Sequence, residues 1–466
     1  MTHDNLTTHP WFFCGIGGSG MLPLALILRG LGAEIAGSDR GRDQGRTPEK
    51  FAWLESLGFR LHPQDGSGIS SPAQTLVASA AVEDTVPEVV RAKELGCARM
   101  SRAELLATLF NAAPQPIGIA GTSGKSTVTG MIGWILTAVG RDPTIMNGAV
   151  MKNFVRDDAP FASARVGAGA AFVSEVDESD GSIALYRPAV AVLGNVSLDH
   201  KSLEELRGLF SDFLDRAGTA VVNLDNAEAA ALAHHPHLIT FGITSQQAMI
   251  GADNIAEAPT TLTATIIDRR DGATAPLALR VPGRHNLANA LAAIAAAHAV
   301  GVPIAQAAAA LGDFAGLARR FDIVGTHDGV TVIDDFGHNP DKVAATLATL
   351  KAHPGRVIAF FQPHGYGPLR QMGTELAETF AEGLGADDQV ILCDPVYFGG
   401  TVDRSVGSER IVALINAAKG PTARHIPARE DAGAAIRALA RPGDRVVVMG
   451  ARDDTLTLFA RGLIAP

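Results

Sequence analysis

Gly118-Ile119-Ala120-Gly121-Thr122-Ser123-Gly124-Lys125-Ser126-Thr127 is the stretch on which the reading of this chain turns. An apolar run precedes it and a helix-forming run follows Lys125. Glycines let a backbone approach phosphate oxygens closely, and amides at a helix start attract them. Lys125 suits the terminal phosphates of a nucleoside triphosphate, and the Ser126 hydroxyl suits magnesium. The strict spacing of such loops asks for glycine at 119, where this chain carries Ile119. Strand, phosphate loop and helix in this order predict an α/β domain with a mainly parallel sheet.

Moving outward, Gly15-Ile16-Gly17-Gly18-Ser19-Gly20 also follows an apolar strand and opens a helix, and Asp39 closes the next strand. This pattern suits a bound diphosphate and, by itself, a dinucleotide. Downstream, Ser174-Glu175-Val176-Asp177-Glu178-Ser179-Asp180 places four carboxylates at a strand end. Hard oxygen donors facing a phosphate loop suit magnesium. Asn195-Val196-Ser197-Leu198-Asp199-His200 follows another apolar strand and offers a carboxylate and an imidazole for a second metal position.

Strand and helix patterns divide the chain into three consecutive α/β domains, at 1–112, 113–316 and 317–466. In the first, strands are expected at 11–14, 34–37 and 75–79, with a helix at 21–31. In the second, strands are expected just before Gly118 and at 170–174, 189–193 and 219–223. Residues 248–281 alternate as a small antiparallel region, and an alanine-rich helix is expected at 286–300. In the third, strands are expected at 330–333, 357–361, 389–393 and 445–449. No repeat period, coiled-coil heptad or low-complexity tract interrupts this order.

The 466 residues carry 39 basic and 49 acidic side chains, a net charge of −10. That balance excludes a sequence-independent grip on nucleic acid. Three dispersed cysteines, Cys14, Cys97 and Cys393, build neither a disulfide framework nor a zinc site. The N-terminal residues lack a secretory pattern, and no run reaches about 18 apolar residues, so a cytoplasmic protein without a membrane span is expected.

In order along the chain stand Gly118–Thr127, the Glu175 cluster, Asn195 with Asp199-His200, and Gly283-Arg284-His285-Asn286 with Asn289. Arg319-Arg320-Phe321 and Asp334-Asp335-Phe336-Gly337-His338-Asn339-Pro340 follow. This series resembles the Mur ligases. The Gly15–Gly20 turn with Ser38-Asp39, together with Val77–Val82 and Gln362-Pro363-His364, resembles their MurC and Mpl branch. The resemblance implies a Rossmann-like UDP-sugar domain, a central ATP-binding phosphate-loop domain and a C-terminal Rossmann-like domain. It implies an ATP-dependent, ADP-forming ligase of peptidoglycan biosynthesis, joining UDP-N-acetylmuramate to L-alanine through an acyl phosphate, with ATP and Mg2+.

It also implies residue roles. Gly121, Thr122, Ser123, Gly124, Lys125, Ser126 and Thr127 would hold ATP. His285, Asn286 and Asn289 would meet its base side, and Arg320 and Asp335 would close on it. Ser126, Glu175 and His200 would hold magnesium, and Lys125, Glu175, His200 and His338 would carry the chemistry. Gly15, Gly17, Gly18, Ser19, Gly20, Ser38 and Asp39 would bind the UDP-sugar, and His364 and Arg370 the amine. Phe210 stands near the position where some branches carry a carbamylated lysine.

The amine half departs from the family pattern. His-Arg-Tyr-Thr-Arg is replaced by His364-Gly365-Tyr366-Gly367-Pro368, and Gly-Ala-Gly by Gly450-Ala451-Arg452. Two bidentate donors for a carboxylate are thereby lost, with only Arg370 nearby. These changes predict L-alanine to be a poor acceptor, unless Arg370 rebuilds the same pocket. An Mpl-like peptide ligase, or a ligase for another carboxylate, is the nearest alternative. An NAD-dependent oxidoreductase, from the Gly15–Gly20 turn, is the remote one, and a phosphate-loop binding protein without ligase chemistry is a third.

Overall fold

In a computed structural model, residues 3–80, 82–197, 201–396, 403–418, 420–451 and 453–464 are described. They form three sheets in two compact units that divide at Gly316 and Leu317, with short segments around 258–260 and 282–284 assigned to the second unit.

The first sheet contains β1 (Trp11–Cys14), β2 (Ile35–Ser38), β3 (Arg60–His62), β4 (Thr75–Ala78) and β5 (Ala98–Ser101), ordered β3-β2-β1-β4-β5. All its pairings are parallel. Helices cover both faces, so β1, Trp11-Phe12-Phe13-Cys14, is apolar throughout and fully buried. The chain reverses direction across the sheet between β1 and β4, the place where such sheets open a ligand crevice at the carboxyl ends of their strands.

The second sheet comprises β6 (Gln115–Ala120), β7 (Thr144–Met146), β8 (Ala164–Arg165), β9 (Ala171–Glu175), β10 (Val190–Leu193), β11 (Thr219–Asn223), β12 (Leu238–Phe241), β13 (Ile250–Glu257), β14 (Leu262–Asp268) and β15 (Ala273–Leu279). Its order is β15-β14-β13-β12-β11-β10-β6-β9-β7-β8. The alternating region anticipated at 248–281 is the antiparallel meander β13–β15, and it extends this sheet. The helix Arg284–Ala299 is alanine-rich because ten of its residues are buried, and small side chains let neighbours approach closely.

The first two sheets share one compact unit, for identifiable reasons. Gly30 packs its missing Cβ position on Val166, 2.6 Å from that methyl. Trp53 donates from Nε1 to the Asp158 carbonyl at 2.9 Å and lies 5.5 Å from the Phe161 ring. Asn111 bonds the Leu185 carbonyl and the Arg187 amide.

The second unit holds β16 (Asp322–His327), β17 (Val330–Asp335), β18 (Val357–Gln362), β19 (Gln389–Leu392), β20 (Thr422–His425) and β21 (Arg445–Gly450) in the order β16-β17-β21-β18-β19-β20. Only the β16–β17 edge pair is antiparallel. No helix among the described residues is long and apolar enough to cross a membrane.

Candidate active site

β6 lies between β9 and β10 in the central sheet, so the loops leaving all three strands meet at one edge. The loop 121–124 leaves β6 and leads into the helix Lys125–Ala138. Gly121 has φ +129 and Gly124 φ +82, a region that disfavours side chains. Contacts add to that constraint. A Cβ on Gly121 would lie 2.9 Å from the Asn195 carbonyl, and one on Gly124 would lie 2.6 Å from Asn289 Oδ1. Asn289 is therefore packed on the phosphate loop, 3.3 Å from Asn286 Oδ1, while His285 is exposed.

The loop after β10 clamps the phosphate loop. Asn195 accepts the Ser123 amide at 3.0 Å through Oδ1, donates to Ser123 Oγ at 2.6 Å, and accepts the Thr122 amide at 3.0 Å through its carbonyl. Thr122 Oγ1 pairs with Ser197 Oγ at 2.9 Å. The amides of Gly124 and Lys125 make no hydrogen bond among the described residues. They remain available at the positive end of a 14-residue helix. Asp199 and His200 lie outside the described residues.

The loop after β9 supplies carboxylates with different partners. Glu175 accepts the Ser126 hydroxyl at 2.9 Å through Oε2 and the Gly148 amide through Oε1. Glu178 accepts from the Lys125 ammonium at 2.9 and 3.1 Å, and Lys125 also donates to the Gly121 carbonyl at 2.7 Å. Burial pushes the Glu178 carboxyl up, against the pull of Lys125. Burial acts the same way on Asp177, but the Ser179 bonds and the Lys125 and Arg102 cations leave it below the ordinary value. The serine hydroxyl and the Glu175 carboxylate are both hard oxygen donors, and they converge at the phosphate loop. Their chemistry fits magnesium.

Gly148→Ala tests that convergence. A Cβ there would lie 2.5 Å from Glu175 Oε1, and Gly148 has no positive φ, so the effect is contact rather than backbone strain. Displacing the carboxylate is expected to slow turnover on the order of 10–10²-fold. Initial rates at several magnesium concentrations measure it; unchanged rates place Glu175 outside the working site.

The second glycine turn follows β1. The Ser38 carbonyl accepts the Gly15 and Ile16 amides at 2.8 and 3.1 Å, whereas the Ser38 side chain is fully buried. Asp39 accepts the Gly17 amide at 2.8 Å and the Gly41 amide at 2.7 Å, tying the turn to the next helix. Gly18 donates back to the Gly15 carbonyl. The Ser19 and Gly20 amides make no hydrogen bond among the described residues and are free to meet an anion.

Arg320, Asp335, His338, His364 and Arg370 belong to the second unit. Asp335 accepts the Phe321 and Gly337 amides at 2.7 Å each and the Thr346 hydroxyl at 3.1 Å. Arg320 lies 4.4 Å over the Phe336 ring, His338 stands 5.3 Å from that ring, and His364 stands 5.0 Å from His338. Arg370 is bonded to Asp403 at 2.6 Å, both partly exposed. Asp453, beside the altered 450–452 segment, is buried and accepts from Gln362 and Arg429 at 2.9 and 3.2 Å.

Burial drives the His338 pKa down to about 3, while the Phe336 carbonyl at 2.9 Å, taking Nδ1–H in the neutral ring, opposes it. The folded protein therefore holds this ring neutral while the unfolded chain protonates it near 6.5. Its stability contribution is complete above pH 6.5 and is lost as pH falls toward 3. Between pH 6.5 and 5 the loss from this group is about 2 kcal/mol. His338→Gln is expected to flatten that part of the melting-temperature profile; an unchanged slope refutes the assignment.

Several of these partners are not legible in the motifs. Asn147 donates to the Ser126 carbonyl at 2.9 Å, and Gly148 meets Glu175, yet Asn147-Gly148 reads as an ordinary turn. Phe210 is fully buried in the core.

Comparison with known proteins comes to the same place. Residues 12–113 match the Mur ligase family catalytic domain, 119–297 the Mur ligase middle domain, and 319–452 the Mur ligase glutamate ligase domain. The chain is 36% identical over 457 residues to a UDP-N-acetylmuramate–L-alanine ligase of Synechococcus sp., covering 95% of this chain and 84% of the relative. It is 36% identical over 453 residues to the protein of that name from Acidithiobacillus ferrooxidans, covering 94% of each. Among solved structures, UDP-N-acetylmuramate-alanine ligase MurC of Thermotoga maritima superposes with a TM-score of 0.80 at 24% identity, covering 98% of both chains. A murein peptide ligase of Psychrobacter arcticus gives 0.71 at 24% identity, also covering 98% of both, and these two structures speak for the fold alone.

Proposed function

The chain belongs to the Mur ligase family, and from that premise we propose that it joins UDP-N-acetylmuramate to L-alanine at the expense of ATP. The observation that carries the reading is the meeting of Lys125, Ser126 and Glu175 on one phosphate loop. A dehydrogenase has no use for that constellation, and the oxidoreductase alternative is set aside.

A carboxylate and a triphosphate repel one another, so their reaction needs fixed positive charge where the transferring phosphoryl group sits. The Gly124 and Lys125 amides and the Lys125 ammonium supply it. Once ATP enters, Lys125 exchanges Glu178 for phosphate oxygens. Ser126 and Glu175 would hold magnesium, which supplies charge neutralisation on the phosphates. The substrate carboxylate attacks the γ-phosphorus, ADP leaves, and an acyl phosphate forms. The amine then attacks the carbonyl carbon and expels phosphate, giving the amide. Asn289, packed on Gly124, faces the bound nucleotide, and the Gly15–Gly20 turn cradles the UDP diphosphate.

The test is phosphate release with ATP, UDP-N-acetylmuramate and a series of amines. Release that needs all three components, with ADP formed in equal amount, is expected, and ATP hydrolysis indifferent to the sugar nucleotide overturns the reading. One observation favours a second reading for the amine: Arg370 already neutralises its charge on Asp403, so a free amino-acid carboxylate must compete for it. If a peptide or another amino acid exceeds L-alanine in kcat/KM, the amine pocket is the altered one that 364–370 predicts. If L-alanine leads and Arg370→Ala raises its KM alone, the arginine serves the alanine carboxylate.

A further inference from the structure

Arg102 is the first residue of the helix Arg102–Ala112, whose N-cap Ser101 forms a reciprocal capping box with Glu104. A cation there opposes the helix dipole. Its side chain does not escape into water, being only 21% exposed. It lies instead over Gly20, the residue that opens the helix Met21–Gly30 without any side-chain cap. A Cβ on Gly20 would stand 3.1 Å from Arg102 Cδ, 3.4 Å from Nε and 3.5 Å from Nη1. The absence of a side chain at Gly20 makes room for the arginine.

The positive ends of two helices and one guanidinium therefore converge above the glycine turn. The compensation is incomplete. Asp177 and Asp180 approach Nη2 only to 3.8 and 4.0 Å, beyond hydrogen-bond length. None of the five N–H groups of Arg102 makes a hydrogen bond among the described residues, and neither do the neighbouring Ser19 and Gly20 amides. The guanidinium is left to partial solvation and two long ion pairs, and a planar fork of donors is matched by a group with two oxygens.

We propose that Arg102 is the positioning residue that reads the second phosphate of the nucleotide diphosphate seated on the Gly15–Gly20 turn. The inference rests on the UDP-sugar reading of that turn. The side chain leaves the first sheet at the end of β5 and reaches the acidic loop that follows β9 in the second. That loop begins at Glu175, the partner of Ser126. The diphosphate replaces the long ion pairs to Asp177 and Asp180 with direct ones.

The experiment is calorimetry of UDP and UMP on the intact protein, the Arg102→Ala variant and the Arg102→Lys variant. The wild type is expected to prefer UDP. In Arg102→Ala, UDP is expected to weaken about 10–100-fold, the scale of lost hydrogen bonds to a charged group, while UMP and ATP change little. Arg102→Lys keeps the charge without the fork and is expected to fall between them, which also covers a misfolded alanine variant. A UDP-to-UMP ratio unchanged in both variants overturns the role of Arg102. A wild type that does not favour UDP over UMP overturns the reading of the turn itself. In turnover, the change is expected in KM for the sugar nucleotide with the KM for ATP unmoved, a split that a merely structural arginine would not produce.

Discussion

Lys125→Ala is expected to slow turnover about 10²–10³-fold, the scale of one lost charged contact in a phosphoryl-transfer transition state. Affinity for the UDP-sugar is expected to stay as it was, because the Gly15–Gly20 turn belongs to another sheet. The lysine leaves more than a gap. Its ammonium neutralises Glu178, a carboxylate only 5% exposed. Without it that buried acid takes up a proton or faces the incoming triphosphate as an uncompensated charge. ATP affinity in the variant should therefore recover partly as pH is lowered, and Lys125→Ala combined with Glu178→Gln should bind ATP better than the single variant. Calorimetry of ATP and of the sugar nucleotide, beside single-turnover rates, separates these effects. Near-normal ATP-dependent turnover in Lys125→Ala would falsify the phosphate-loop assignment.

Glu175→Gln is expected to raise the magnesium concentration needed for half-maximal rate and to cost on the order of 10² in turnover at fixed magnesium. The carboxylate accepts on both oxygens, from Ser126 and from the Gly148 amide. An amide side chain can present only one acceptor, so its NH2 group must face one of those donors. A neutral amide is also a poorer partner for a hard cation. A magnesium titration that overlays the wild type would remove Glu175 from the metal site. Gly148→Ala should shift the titration in the same direction, since it disturbs the same oxygen from the other side.

Much of the architecture was open to reading from the chain itself. The strand at 11–14, the meander within 248–281 and the alanine-rich helix near 286–300 appear where their periodicity placed them, within a residue or two. Parallel strands buried on both faces leave continuous apolar runs, and β18, Val357–Gln362, is an instance. The phosphate loop was legible for the same reason. Its glycines, lysine and serine stand within one short stretch, so the pattern can be recognised without its distant partners.

The amine half was less legible. The altered 364–370 segment told that two arginines are missing, but not that Arg370 is held by Asp403, 33 residues away. Asp453 gave no signal either, and its role comes from Gln362 at the end of β18 and Arg429 at the start of the helix Arg429–Leu439.

What the sequence by itself determined, then, is the set of local units: strand, glycine turn and helix, repeated, with acidic and amide residues at strand ends. Local periodicity and turn chemistry act over a few residues and need no knowledge of the whole. What only the tertiary structure decided is which strand ends are neighbours. β6 lies between β9 and β10, and this alone brings Glu175 to Ser126, Glu178 to Lys125 and Asn195 to Ser123 of the phosphate loop, across 49 to 72 residues. Arg102 meets Gly20 because β5 and β1 are strands of one sheet, and meets Asp177 because the first two sheets pack within one compact unit. Strand order in a parallel sheet is set by how helices and crossovers bury apolar surface over the whole domain, and no stretch of chain carries that information alone.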